Sequence, residues 1–346
     1  MKKLLFATLL VALVFFLSNC EQRKNKTTTP QDTKTSISGN YLGSDYNGNY
    51  VWGGAMNLAW NELNENILQA KLELETDDSI ALEMADKLNN PVFTKNDLDE
   101  ASYYIKSGYG QGTVDLINKE TKEKFPQKCF ADLDINLGPE DIISYAYFLK
   151  EVEYVVMFKP ADVTFNSEKV KGFCAESEEQ KKNIEIIEYA SDEKFIIKLK
   201  LKDNSDELIL AKGYNMNDPQ EVVAEINLYN KNDLSVIGSS DKFEAPKLHL
   251  DYRRDYMELV GKCVANKGFE GYCISQMFEN IKFDMDEKGA RVENEAVIVL
   301  TKSVKESKNF ILDQPYWVVM KRADSQNPYF ILGVNNTKLM EVVKED

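Results

Sequence analysis

Ile274-Ser275-Gln276-Met277-Phe278-Glu279-Asn280-Ile281-Lys282-Phe283-Asp284-Met285-Asp286-Glu287-Lys288-Gly289 is the stretch whose reading decides the fold of this chain. Its middle alternates: Ile281, Phe283 and Met285 are apolar, whereas Lys282 and Asp284 between them are charged. That is the two-residue period of a half-buried strand. A calcium-loop template can be laid over the same residues. It puts Asp284, Asp286, Gly289 and Glu295 at its first, third, sixth and twelfth positions. Lys288 then takes the fifth position, where an oxygen ligand is required, and the residues before it alternate instead of forming a helix. No metal is expected here.

The pattern continues on both sides. Downstream, Ala296 to Leu300 is continuously apolar. Tyr316 to Lys321 and Tyr329 to Val334 are two strand-like runs joined by the polar Ala323-Asp324-Ser325-Gln326-Asn327, which predicts a hairpin. Upstream, Leu248 and Leu250 flank His249 in a short strand, and Tyr256 to Val260 predicts a short helix that Gly261 ends. Asp218-Pro219 reads as a helix start, a capping residue before proline. Ile197, Leu199 and Leu201 alternate with lysines, and Ile142 to Phe148 is apolar and aromatic. Towards the N-terminus the period changes. Met56, Ala59, Leu63, Ile67 and Ala70 recur at helical spacing, with Trp52 before them and Trp60 among them. Asp97 to Lys106 and Thr113 to Phe125 predict two more helices, split by a Gly108-Tyr109-Gly110-Gln111-Gly112 loop. Helices followed by mixed sheet give an α+β class, with no internal repeat and one domain over residues 41–346.

Chemistry-bearing motifs are scarce. The chain has a single histidine, His249, on a strand between apolar residues. No G-x-S-x-G, H-E-x-x-H or Walker loop is present. The glycine run lacks the G-x-G-x-x-G spacing of a phosphate cradle. A net charge of −15 argues against nucleic acid as a partner. No enzyme activity and no cofactor are expected.

The first residues read as an address. Lys2 and Lys3 precede an apolar run, Leu4 to Leu17, which is short for a membrane span. It ends in Leu17-Ser18-Asn19-Cys20, which resembles the cleavage box of bacterial lipoproteins. The resemblance implies removal of residues 1–19 and lipid attachment at Cys20, hence a tether to the cell envelope, on the outer membrane or cell surface. Residues 20–40 are nearly devoid of apolar side chains beyond that cysteine and are expected to act as a linker. The remaining cysteines are Cys129, Cys174, Cys263 and Cys273. Three pairings are open to them. The short Cys263–Cys273 loop, with Gly268 and Gly271 inside it, is the favoured one.

A family resemblance runs through the second half. The opening stretch is similar to the serpin strand that leads into the reactive loop, whose hinge begins Glu-x-Gly, here Glu287-Lys288-Gly289. Asp313-Gln314-Pro315-Tyr316-Trp317 resembles the serpin Pro-Phe strand, and Pro328 to Asn336 resembles the closing Leu-Phe-Met-Gly-x-Val-x-Asn strand. Ala245 to Leu250 followed by Asp255 to Leu259, Ser144 to Phe148, and Leu116 to Phe125 resemble further serpin segments in the family's order. The resemblance implies a serpin-like fold: N-terminal helices, a large mixed or antiparallel central sheet and C-terminal strands. It also implies a reactive loop that a protease cleaves and that then enters the sheet. Its hinge would be Glu287, Gly289, Ala290, Val292 and Asn294. Its scissile position falls sixteen residues on from Glu287, at Ser303, with Lys302 or Val304 one residue away. The departures fall on the machinery of insertion. Asn294 and Val292 stand where small inward-facing residues are needed, Glu279-Asn280 replace a His-Lys pair, Ser144 replaces an asparagine, and Tyr154 is the nearest aromatic to a missing tryptophan. A non-inhibitory binding or structural role is therefore expected, with a membrane and a protease or other surface protein as partners. An inhibitor of a trypsin-like serine protease, acting through a reactive loop near Lys302-Ser303, is the alternative. An unrelated adhesin-type lipoprotein is the second.

Overall fold

The computed structural model describes residues 35–128, 130–229, 234–288 and 307–344. The strands in chain order are β1 Thr35–Ser38, β2 Tyr41–Tyr46, β3 Asn49–Gly53, β4 Leu74–Glu75, β5 Tyr103–Tyr109, β6 Ile142–Phe148, β7 Lys159–Phe165, β8 Glu168–Cys174, β9 Ile184–Ser191 and β10 Lys194–Leu199. They continue with β11 Asp206–Lys212, β12 Ser235–Val236, β13 Lys242–Pro246, β14 Leu248–Asp255, β15 Cys263–Val264, β16 Phe278–Met285, β17 Asn309–Ile311, β18 Tyr316–Arg322 and β19 Pro328–Val334. The helices are α1 Ala55–Glu62, α2 Ser79–Asn89, α3 Gly110–Lys124, α4 Glu178–Lys181 and α5 Pro219–Asn227.

A large antiparallel sheet, ordered β1-β2-β3-β19-β18-β11-β10-β9-β12, forms the body. Its middle is the C-terminal hairpin β18–β19, read correctly from the sequence. Nearly every residue of both strands is buried, which their unbroken apolar runs require, because a strand covered on both faces cannot alternate. Aromatic rings from other sheets meet it: Phe148 lies 6.0 Å from Tyr329, Phe283 stacks 4.7 Å from Phe330, and Phe165 lies 6.0 Å from Tyr316. A second sheet, β17-β13-β8-β7, carries β17 parallel to β13. Among the described residues, β5–β6 and β14–β16 form two separate antiparallel pairs, which carry the Ser144 and Glu279 segments respectively. Helix α1 packs against β5, β6 and β16.

Local readings held where several signals agreed. Asp218 caps α5, accepting from the backbone N–H of Gln220 at 3.0 Å and of Glu221 at 3.3 Å, with Pro219 at the first helical position. The Met56 to Ala70 helix is α1, extended by a wider helical segment Leu63–Leu68 that ends at Gln69 in the left-handed region. Asp97 to Lys106 is not a helix. Short turns at Lys95–Asp97 and Glu100–Ser102 lead into β5, and residue-by-residue pairing with β6 outweighs the local spacing. The Gly108–Gly112 run is thus a strand-to-helix turn. Gly110 adopts a φ of 68°, and its N–H donates to Asp141 O at 2.8 Å. Tyr256 to Val260 closes as a turn instead of a helix. Cys263 and Cys273 are joined in a disulfide, and Cys174 carries a free thiol. Cys20 and Cys129 lie outside the described residues.

Candidate functional site: the loop anchors and the seam below them

The link between β16 and β17 is the segment that the resemblance marks as the reactive loop. Gly289, Ala290, Val292, Asn294, Lys302, Ser303 and Val304 lie outside the described residues. Glu287, Lys288 and the residues from Ser307 onward define how the segment is held.

On the incoming side, β16 delivers Glu287 to a buried position where its carboxylate pairs with Lys247, the residue just before β14. Burial pushes the Glu287 carboxyl up, but the Lys247 ammonium outweighs it and holds the group below the usual carboxylate range. The backbone is fixed as well: Phe158 N–H donates to Glu287 O at 3.1 Å, and Lys288 N–H donates to Asp286 Oδ1 at 2.8 Å. Tyr154 packs 5.0 Å from Phe158, so the aromatic nearest to the missing tryptophan sits under this anchor.

Two aspartates hold the outgoing side. Asp241 Oδ1 accepts from Lys308 N–H at 2.9 Å. Asp192 accepts from both the backbone N–H and the side-chain amide of Asn309, at 2.9 and 2.7 Å, and from the Tyr189 hydroxyl. The Tyr189 hydroxyl, then the Asn309 amides, hold Asp192 below the usual range. Lys308 sits over the Tyr189 ring, 4.4 Å from its centre.

Between the two strand pairs runs a seam whose floor is α1. Ser144 of β6 donates to Ala59 O at 2.6 Å, and Ser107 of β5 donates to Glu62 at 2.9 Å. On the other pair, Glu279 of β16 accepts from Met56 N–H at 3.3 Å and from the Tyr256 hydroxyl at 3.0 Å. Burial raises the Glu279 carboxyl to about 7, against the opposing pull of Tyr256, Met56 N–H and Arg254. Gly53 leaves room for it, since a Cβ there would stand 3.3 Å from the carboxylate oxygen. Asn280 is exposed. Arg254, in register opposite Glu279, is itself buried; it donates to Gly43 O at 3.0 Å and Thr35 Oγ1 at 2.8 Å and lies 4.2 Å above the Tyr256 ring. His249 is a surface residue paired with Asp284 at 2.6 Å, away from this seam.

Sequence reasoning singled out Ser144, Tyr154, Glu279 and Glu287 but missed Arg254, Asp192 and Asp241. Arg254 was within reach, because Leu248, Leu250, Tyr252 and Arg254 share one parity of β14 and are all buried. The aspartates sit in loops, where no period marks them.

No family profile matches the chain, and no curated protein does. Solved structures match its shape. The mouse protein-Z dependent protease inhibitor is 13% identical, with a TM-score of 0.51, over 84% of this chain and 91% of that one. A highly specific serpin of the insect Tenebrio molitor is 14% identical, with a TM-score of 0.44, over 83% of this chain and 92% of that one. A serpin of Anopheles gambiae is 10% identical, with a TM-score of 0.43, over 76% and 83%. The mouse protein, together with the strand order and loop placement above, identifies the fold as serpin-like.

Proposed function

We propose that this is an envelope protein, lipid-anchored through Cys20, that keeps the serpin shape and acts by contact with a partner instead of trapping proteases. The observation that carries this is α1, bonded to both strand pairs. For β6 and β16 to move apart, α1 must give up the Ser144 and Ser107 bonds on one side or the Glu279 bond on the other. The Ser144 bond to a backbone carbonyl is worth ~0.5–1.5 kcal/mol, and those to the carboxylates of Glu62 and Glu279 ~1.5–3 kcal/mol each when ionised. The hinge sequence adds to that cost. Asn294 would face inward on insertion, and an unpartnered buried amide costs ~1–3 kcal/mol.

A second reading has its own support. The segment between Glu287 and Lys308 is clamped at both ends, and a stretch held in that way would suit a protease cleft as bait, with Lys302-Ser303 as a trypsin-like site. Incubating the soluble chain with a trypsin-like and an elastase-like protease separates the two on a denaturing gel. Nicked chain alone is the expected result. A protease adduct that survives detergent overturns the proposal in favour of inhibition.

A further inference from the structure

Strand β5 is paired along one edge only, since its sheet holds just β5 and β6. Leu149 N–H donates to Ser102 O at 2.8 Å, and Gly110 N–H donates to Asp141 O at 2.8 Å. These two bonds fix the phase of the ladder between them. Tyr104, Lys106 and Gly108 turn their backbone groups toward β6, so Tyr103, Ile105, Ser107 and Tyr109 turn theirs outward. Tyr109 O is taken by the Thr113 hydroxyl at 2.9 Å. The N–H and C=O of Ile105 and of Ser107 have no partner among the described residues. An open edge of this kind pairs with other chains unless proline, bulges or charged side chains guard it. Strand β7, at the rim of the second sheet, has such guards in Lys159 and Pro160. Strand β5 has no proline and no break in register, and its one lysine, Lys106, turns away to Glu120 on α3 at 3.3 Å.

A groove lies against this edge, lined by Tyr103 and Ile105 of the strand and by Glu62, Lys95, Glu100 and Lys124. None of these four charges has a counter-ion among the described residues. Glu62 accepts from the Ser107 hydroxyl at 2.9 Å and from Asn66 at 2.7 Å. Lys124 donates to Glu100 O at 2.8 Å and lies over the Tyr103 ring, 5.3 Å from its centre. The groove is thus acidic at Ser107, while at Tyr103 two ammonium groups outnumber the Glu100 carboxylate. We infer that the β5 edge binds an extended peptide segment of a partner protein as an added antiparallel strand, with a basic side chain opposite Ser107 and an acidic one opposite Tyr103. The outward N–H and C=O groups of Ile105 and Ser107 supply the main-chain bonds, and the charges supply the selectivity. Alternate side chains of the added strand fall on the face of Ser107, Ile105 and Tyr103. Its pattern from N- to C-terminus is therefore basic-x-apolar-x-acidic. The inference rests on the contact role proposed above and names its partner. The two fail separately, because β5 takes no part in the loop anchors: a protease adduct would end that role and leave this edge as it is.

The test changes the peptide and leaves the protein intact. The full chain is titrated with fluorescein-labelled Thr-Lys-Thr-Val-Thr-Glu-Thr, read by fluorescence polarisation, and its amide hydrogen exchange is followed residue by residue. Saturable binding with a midpoint below about 1 mM is expected. Methylating the valine nitrogen removes the donor to Ile105 O and is expected to weaken binding about tenfold or more. Exchanging the lysine and glutamate of the peptide is expected to weaken it about fivefold or more, and Glu62→Gln to shrink that preference. Bound peptide slows exchange at Ile105 and Ser107 about tenfold or more and leaves Lys106, already bonded to β6, unchanged. An absence of binding, equal binding of the methylated peptide, or unaltered exchange at Ile105 and Ser107 overturns the proposal. Protection of those two amides without peptide, growing with protein concentration, overturns it in favour of a second copy of the chain on this edge.

Discussion

Glu279 shows how one buried side chain ties sequence to stability. Its position in β16 follows from the strand period, because Glu279 shares parity with Ile281, Phe283 and Met285, all of them apolar. What the period does not show is the partner set: Met56 N–H comes from α1, and Arg254 and Tyr256 from the end of β14 and the residue after it. The folded protein holds this carboxyl at about 7, above its unfolded value. The native state therefore binds the proton more tightly. The group favours folding fully at pH below ~4.5, and that contribution is lost as pH rises towards 7. Glu279→Gln keeps the shape without the charge. It is expected to remove this slope and to raise stability at pH 8 by roughly 2–3 kcal/mol, read as a shift in the urea midpoint. A variant with unchanged pH dependence would show that Glu279 is not the titrating group.

At the scale of elements, the chain was legible where a period and a punctuating residue coincide. The β18–β19 hairpin and the capped α5 are such cases. Asp97 to Lys106 was not, because its spacing suits a helix and only the partner strand, nearly forty residues on, decides for β5. Tyr256 to Val260 was misread for a similar reason. Tyr256 is locked by its hydroxyl on Glu279 and by its N–H on Met277 O at 2.8 Å, which leaves only a turn before Gly261, in the left-handed region at φ 84°. Beyond that turn, the Cys263–Cys273 disulfide braces a small unit. It holds β15 beside β4, and Asn266 stitches the same loop to Lys71 O at 2.9 Å and Glu73 N–H at 2.8 Å. Replacing both cysteines with serine frees a ten-residue link and is expected to cost about 2–3 kcal/mol. Hydrogen exchange should then rise at Leu74 and Val264 before the large sheet responds. Uniform loosening of the whole molecule would contradict a local brace.

For the whole molecule, the fold was legible from six short resemblances in order, while the central seam was not. The sequence named the substituted positions, but which of them meet across α1 depends on strands brought together from residues 103, 142, 248 and 278 onward. Those contacts make the account specific. A serpin-like chain whose seam is bonded through α1 to both sides, with Asn294 in its hinge, should be cut in its loop without taking the loop in. The most direct measurement is the melting temperature before and after a single cut between residues 289 and 306. The account predicts a nicked chain melting within about 5 °C of the intact one, since the sheets gain nothing from the cut. A rise of more than about 20 °C would mean that the loop had joined the sheet as a new strand, and would contradict the non-inhibitory reading.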